Sequence, residues 1–227
     1  DPVYDYLDWS DEFDTNGAID NAKWFHQTQL PTPGSWYNGE VQHYTNRTAN
    51  AVIEDGILKI IAKKESFTDQ GYTKQYTSAR LNSKYSFTYG RVEVRAKLPF
   101  GVGTWPAIWT LGKNINENGG YWDTQGYGTT GWPACGEIDI MEHWGTNQNY
   151  VQSAIHTPSS FGGTVNLGGQ SIPTASTDFH DYTFVWTPDK LVFSVDGNIH
   201  YTYNPLVKDN TTWPFDADQY LLLNVAI

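Results

Sequence analysis

Apolar and polar residues alternate one for one along much of this chain. Arg91-Val92-Glu93-Val94-Arg95-Ala96-Lys97-Leu98 changes character at every position, which gives a strand one dry face and one wet face. Leu191, Phe193 and Val195 repeat that period up to Asp196-Gly197-Asn198, after which Ile199, Tyr201 and Tyr203 resume it. Such a pattern predicts a hairpin closed by a glycine-containing turn. Further strands are predicted over 56–62, 77–84, 136–141, 151–156, 182–186 and 220–226. No stretch holds a helical period over three turns. Short strands punctuated by Gly, Asn and Pro predict an all-β sandwich or barrel of antiparallel sheets. Segments 30–39 and 121–132 break the alternation and carry aromatic residues, so they are candidate rims of a binding site.

The 227 residues suit one undivided domain, 1–227. The chain stops inside the apolar run Leu221-Leu222-Leu223-Asn224-Val225-Ala226-Ile227, which predicts that a C-terminal strand is missing from it. No leader precedes Asp1, which points to processing, and no apolar run nears the roughly 20 residues that span a bilayer. The expectation is a soluble protein with no membrane partner.

Charge and aromatic content narrow the chemistry. Lys and Arg number 14 against 25 Asp and Glu, a formal charge of −11, which argues against nucleic acid and other polyanions as partners. The single cysteine, Cys135, cannot form an intramolecular disulfide and is expected as a small buried hydrophobe. Aromatics make up 15% of residues, with ten tryptophans, more than a core of this size usually absorbs. Indole faces stack on the C–H faces of pyranose rings, so the excess points to a sugar-binding cleft; a Trp-rich core is the plainer alternative.

The segment Gly136-Glu137-Ile138-Asp139-Ile140-Met141-Glu142-His143 carries the sharpest signal. In a regular strand Glu137 and Asp139 share a face, with Ile138 and Ile140 opposite. Glu142 falls on the wrong parity. One extra residue, a β-bulge at 140–142, would return it to the side of Glu137. Three crowded carboxylates repel one another, so one should hold a proton near neutral pH. That suits a retaining glycosidase, which needs a nucleophile and an acid/base about 5–5.5 Å apart. An exposed acidic face or a calcium site would also use these residue types. There is no G-x-S-x-G elbow, no P-loop and no His pair at zinc spacing. His143 and His156 are candidates for either sugar contact or structure.

Around these residues the chain resembles family 16 glycoside hydrolases of the laminarinase, or endo-β-1,3-glucanase, type. The resemblance runs through nearly all of it. It rests on Trp132-Pro133 followed by Gly136–Glu142, on Trp36-Tyr37-Asn38-Gly39-Glu40-Val41-Gln42-His43-Tyr44, and on Thr77-Ser78-Ala79-Arg80-Leu81. Tyr89-Gly90-Arg91 and Gly103-Thr104-Trp105-Pro106-Ala107-Ile108-Trp109 complete the set. The resemblance implies a concanavalin-like β-jelly roll with a substrate cleft across its concave face. It implies Glu137 as nucleophile, Asp139 as its assistant and Glu142 as acid/base. It also implies sugar contacts by Asn38, Arg80, Trp105, Trp109, Trp132 and His156. Catalysis would need no cofactor; a structural calcium ion would be held by Glu12 and the Gly56 carbonyl, with a further ligand beyond the sequence. The expected substrate is a neutral β-1,3-glucan, acted on by a secreted monomer. Agarase-type or mixed-linkage activity, transglycosylation, and a non-catalytic glucan-binding domain are the alternatives.

Overall fold

The structure, a computed structural model, describes residues 2–227. In chain order the first strands are β1 (Trp24–His26), β2 (His43–Tyr44), β3 (Ala51–Glu54), β4 (Ile57–Ile60) and β5 (Lys63–Asp69). There follow β6 (Tyr72–Ser78), β7 (Arg80–Phe87), β8 (Gly90–Ala96), β9 (Trp105–Gly112) and β10 (Glu137–Glu142). The last six are β11 (Tyr150–His156), β12 (Leu167–Ser171), β13 (His180–Trp186), β14 (Leu191–Val195), β15 (Asn198–Tyr203) and β16 (Gln219–Ala226). Among the described residues, helix is confined to one α-turn, Tyr121–Thr124, and one 3₁₀ turn, Tyr37–Gly39.

Seven strands form one antiparallel sheet in the order β1-β7-β16-β9-β10-β11-β12, and four form another, β15-β14-β13-β8. The alternation in β8 and β14 turns one face of the smaller sheet inward, where Tyr182, Phe184, Trp186, Leu191, Phe193 and Val195 are buried. They meet Leu81, Ile108, Ile138, Ile140, Met141 and Ile155 from the larger sheet in one continuous core. Phe184 and Phe193 stack at 5.6 Å, and each buried aromatic or aliphatic side chain of this kind contributes about 1.5–3 kcal/mol. The sandwich expected from sequence is the observed architecture. Smaller sheets, β2-β6-β5 and β3-β4, flank it.

The hairpin β14–β15 closes through Asp196 and Gly197, both at positive φ (49° and 79°), as the Asp-Gly-Asn signal predicted. An equivalent turn at Asp55 and Gly56 joins β3 to β4, so Gly56 belongs to the turn and the strand expected over 56–62 narrows to β4. The strand expected over 77–84 divides at Ala79. Its first part pairs within the small β5–β6 sheet and its second enters the large sheet, a change of partner that side-chain alternation does not encode. Strand β9 went unpredicted, because Pro106 near its start argues against a ladder strand. It is nevertheless central, paired with β16 on one side and β10 on the other. Cys135 is buried as expected, and burial, with Glu137 nearby, pushes its thiol up to about 12.

Candidate active site

Strand β10 departs from regular pairing where its sequence requires. Asp139 pairs with Ala154 and Glu142 with Gln152, so two residues of β10, Ile140 and Met141, face the single residue Ser153. Toward β9, Asp139 pairs with Trp109 and Met141 already pairs with Ile108. This is the predicted bulge. Ile138, Ile140 and Met141 all enter the core, and Glu142 returns to the outer face with Glu137 and Asp139.

Glu137 and Glu142 each meet a donor set by a neighbouring element. Trp132 Nε1 donates to Glu137 Oε2 at 2.7 Å, and Trp105 Nε1, at the start of β9, donates to Glu142 Oε1 at 3.2 Å. His156, across the ladder from Glu137, places Nε2 3.0 Å from Asp139 Oδ2 and 3.8 Å from Glu137 Oε1. The Gly162 amide donates to His156 Nδ1 at 3.0 Å, which puts the ring proton on Nε2, facing the carboxyls. The 3.0 Å approach is off the line of a hydrogen bond, so Asp139 Oδ2 is a buried acceptor still without a donor.

Burial raises all three carboxyls, and their mutual repulsion adds to it for the two glutamates. Asp139 is pushed to about 7 by burial, partly offset by its hydrogen bond with Glu137. Glu142 is pushed to about 8 by burial and then by the charge of Asp139. Glu137 also lies well above the ordinary range, from burial and then Asp139, with Trp132 and His156 working in the opposite direction. The three titrate as one system.

Aromatic walls flank the acids. Trp105 stacks on Trp144 at 5.8 Å, and both line a cavity of about 200 Å³ with Asn38, Glu40 and Gly103. Asn38 stands exposed in the 3₁₀ turn at φ 57°. Trp132, 43% exposed, meets Phe161 edge-on at 5.4 Å on the other side. Trp109 lies beside Asp139 in register, its Nε1 donating to Asn224 Oδ1 at 2.7 Å.

Arg80 lies beneath the tryptophans. It is buried, with Nε donating to Gln27 at 2.8 Å and Nη2 to Glu117 at 2.9 Å in an ion pair. Its guanidinium lies over the Trp109 ring at 4.8 Å and the Trp36 ring at 5.3 Å. As placed, it fixes the tryptophan floor more than it offers hydrogen bonds to a ligand. His143 is also structural: it is wholly buried, with Nε2 2.9 Å from the Gln148 carbonyl. Of the two candidate rims, 30–39 delivers Trp36 and Asn38. From 121–132 only Trp132 reaches the acids, while Trp122 and Tyr127 close around Lys113 instead. Glu117, Asn224, Trp144 and Phe161 were not predicted. Trp144 follows the acidic motif directly and could have been noted; Glu117 and Phe161 sit in loops with no local signal.

On the far side, Asp55 N donates to Asn16 Oδ1 and Gly17 pairs with Ile53, which lays the segment after Glu12 against the Gly56 turn. Glu12 is exposed there. Calcium takes 6–8 oxygens, of which Glu12 and the Gly56 carbonyl would supply two. Among the described residues, the one cluster of three acidic, His or Cys ligand atoms is Glu137, Asp139 and His156.

The profile of the Glycosyl hydrolases family 16 matches residues 38–225. A β-glucanase of Rhodothermus marinus is 42% identical over 97% of this chain and 75% of its own length. A glucan endo-1,3-β-glucosidase A1 of Niallia circulans is 37% identical over 97% of this chain, which spans 33% of that protein. The structure of LamA from Z. galactanivorans in complex with laminaritriose and laminaritetraose superposes with a TM-score of 0.91 at 46% identity, covering 99% of this chain and 90% of that one. The jelly-roll sandwich, the bulged acidic strand and these matches agree: the chain belongs to the family 16 glycosyl hydrolases.

Proposed function

We propose that this chain is a secreted, retaining endo-β-glucanase that cleaves internal β-1,3-glucosidic bonds of laminarin-type glucan. The carrying observation is the convergence of Glu137, Asp139 and Glu142 on one face of β10 between tryptophan walls. The β-glucanase names of its relatives, and the laminari-oligosaccharides bound in a similar structure, support the substrate class.

In this reading Glu142 is the proton donor. Raised to about 8, it is protonated at neutral pH and delivers its proton to the glycosidic oxygen as the bond breaks. Glu137 attacks the anomeric carbon and forms a glycosyl ester. The ionised form of Glu137 that attack requires is favoured by the Trp132 N–H and by His156, against burial and the charge of Asp139. Glu142, now ionised, takes a proton from water as that water attacks the ester, and Glu137 leaves as carboxylate. A sugar hydroxyl can supply the donor that Asp139 Oδ2 lacks.

Proton NMR on laminarin digests should show the β-anomer of the reducing end appearing first, with slower release from lichenan and little from agarose. First appearance of the α-anomer would rule out double displacement, and a folded protein that releases nothing from laminarin would be a binding module.

Kinetics separate the two glutamates. Glu137→Gln should still bind oligosaccharide while turnover falls at least about 1,000-fold. Glu142→Gln should lower kcat/KM on laminarin about 100-fold or more and spare aryl glycosides with activated leaving groups. Equal losses on both substrates would remove Glu142 from the acid/base role.

Stability should follow the same charges. A carboxyl raised on folding binds more protons in the folded than the unfolded state, so its ionisation costs stability as pH climbs from the ordinary carboxylate range toward 8. Glu142→Gln should therefore raise the melting temperature at pH 8 and leave it within about 1 °C at pH 4. A gain of equal size at both pH values would contradict the raised carboxyl.

A further inference from the structure

The bulge that re-aims Glu142 carries a backbone cost. Where two residues of one strand face one of the next, the ladder is broken and a main-chain group needs another partner. Ser153 is the single residue opposite the bulge. Its wholly buried hydroxyl donates to the Ile140 carbonyl at 2.7 Å. A serine hydroxyl has one proton, so His200 Nε2, 2.8 Å away, must donate to the same oxygen. His200 Nδ1 then accepts from Gln170 Nε2 at 3.0 Å. Gln170 is held in that orientation by a second donation, to the Asn198 carbonyl at 3.1 Å. Donation thus runs one way, from Gln170 through His200 and Ser153 to the bulge.

Two further features of the fold lead to this chain of bonds. Strand β15 has its own bulge: Phe193 pairs with Tyr201 and Ser194 with Ile199, leaving His200 as the extra residue. Gly168 in β12 lets β15 come close, since a Cβ there would lie 2.9 Å from the His200 carbonyl oxygen and 3.0 Å from Tyr201 Cβ. Burial pushes His200 down to about 4, so at neutral pH the ring keeps one donor and one acceptor.

We propose that Ser153 and His200 are positioning residues for the proton-transferring carboxyl: by tying down the Ile140 carbonyl, they hold the bulge in the geometry that sends Glu142 into the cleft. Neither touches the substrate. The proposal rests on Glu142 being the acid/base, as inferred above. It predicts that damage at a site in the inter-sheet core reproduces the kinetic signature of damage at Glu142.

The test compares Ser153→Ala and His200→Leu on laminarin and on 2,4-dinitrophenyl β-laminaribioside, whose leaving group needs no proton. Folded variants should lose about 10-fold or more in kcat/KM on laminarin, as a displaced catalytic group does, and stay within about 2-fold on the aryl glycoside. His200→Gln, whose amide can donate to Ser153 and accept from Gln170, should recover most of the loss. Equal losses on both substrates, or unchanged laminarin turnover with only a lower melting temperature, would overturn the positioning role. Glu142→Gln assayed alongside separates the two ideas. If it fails to distinguish the substrates, the acid/base assignment falls; if it alone distinguishes them, only the positioning role does.

Discussion

A pleated strand alternates faces at every residue, and Glu142 stands an odd number of positions after Glu137. That parity is the constraint on which the site depends. Without an extra residue the third carboxyl would point between the two sheets, among Phe184, Phe193 and Ile155, where an unpaired charge is prohibitively costly. The bulge reconciles core and chemistry. Ile140 and Met141 both stay in the apolar layer, and Glu142 joins Glu137 and Asp139 outside it. A short strand thereby holds three titratable groups in one small volume.

Crowding at that point becomes useful because burial acts with it. Removal from water disfavours the charged form of each carboxyl, and for the glutamates proximity disfavours it again. The surroundings then break the symmetry. Trp132 and His156 direct N–H groups at the Glu137–Asp139 end, whereas Glu142 has one longer bond from Trp105. In the proposed mechanism this is how a general acid and a nucleophile come from the same residue type on the same strand. Arg80 does its work one layer below. Paired with Glu117 and set against Trp109 and Trp36, it stiffens the aromatic floor on which a sugar would lie.

Much of this could be read from the chain because it follows from period and parity. The alternating stretches are β8, β14 and β15, and the parity mismatch at Glu142 predicts the bulge found there. What escaped the sequence was pairing at a distance. The partner of Arg80 is Glu117, 37 positions away in a loop without periodicity. Phe161 reaches Trp132 only because the loop after β11 folds back. His143, beside the acids in sequence, lies on the opposite side of the backbone and is wholly buried, while His156 arrives from the neighbouring strand. Strand β9 was hidden by a proline, and the break at Ala79 by a strand that changes sheets without changing its pattern.

The account turns on a carboxyl that keeps its proton because it is buried beside another acid. Carbon-13 NMR of protein labelled at the glutamate side-chain carboxyls measures this directly, with Glu142 identified by its absence in Glu142→Gln. Glu142 should titrate far above the exposed glutamates, near 8, and drop when Asp139 is replaced by Asn. Titration of Glu142 in the ordinary carboxylate range, unmoved by Asp139→Asn, would contradict it.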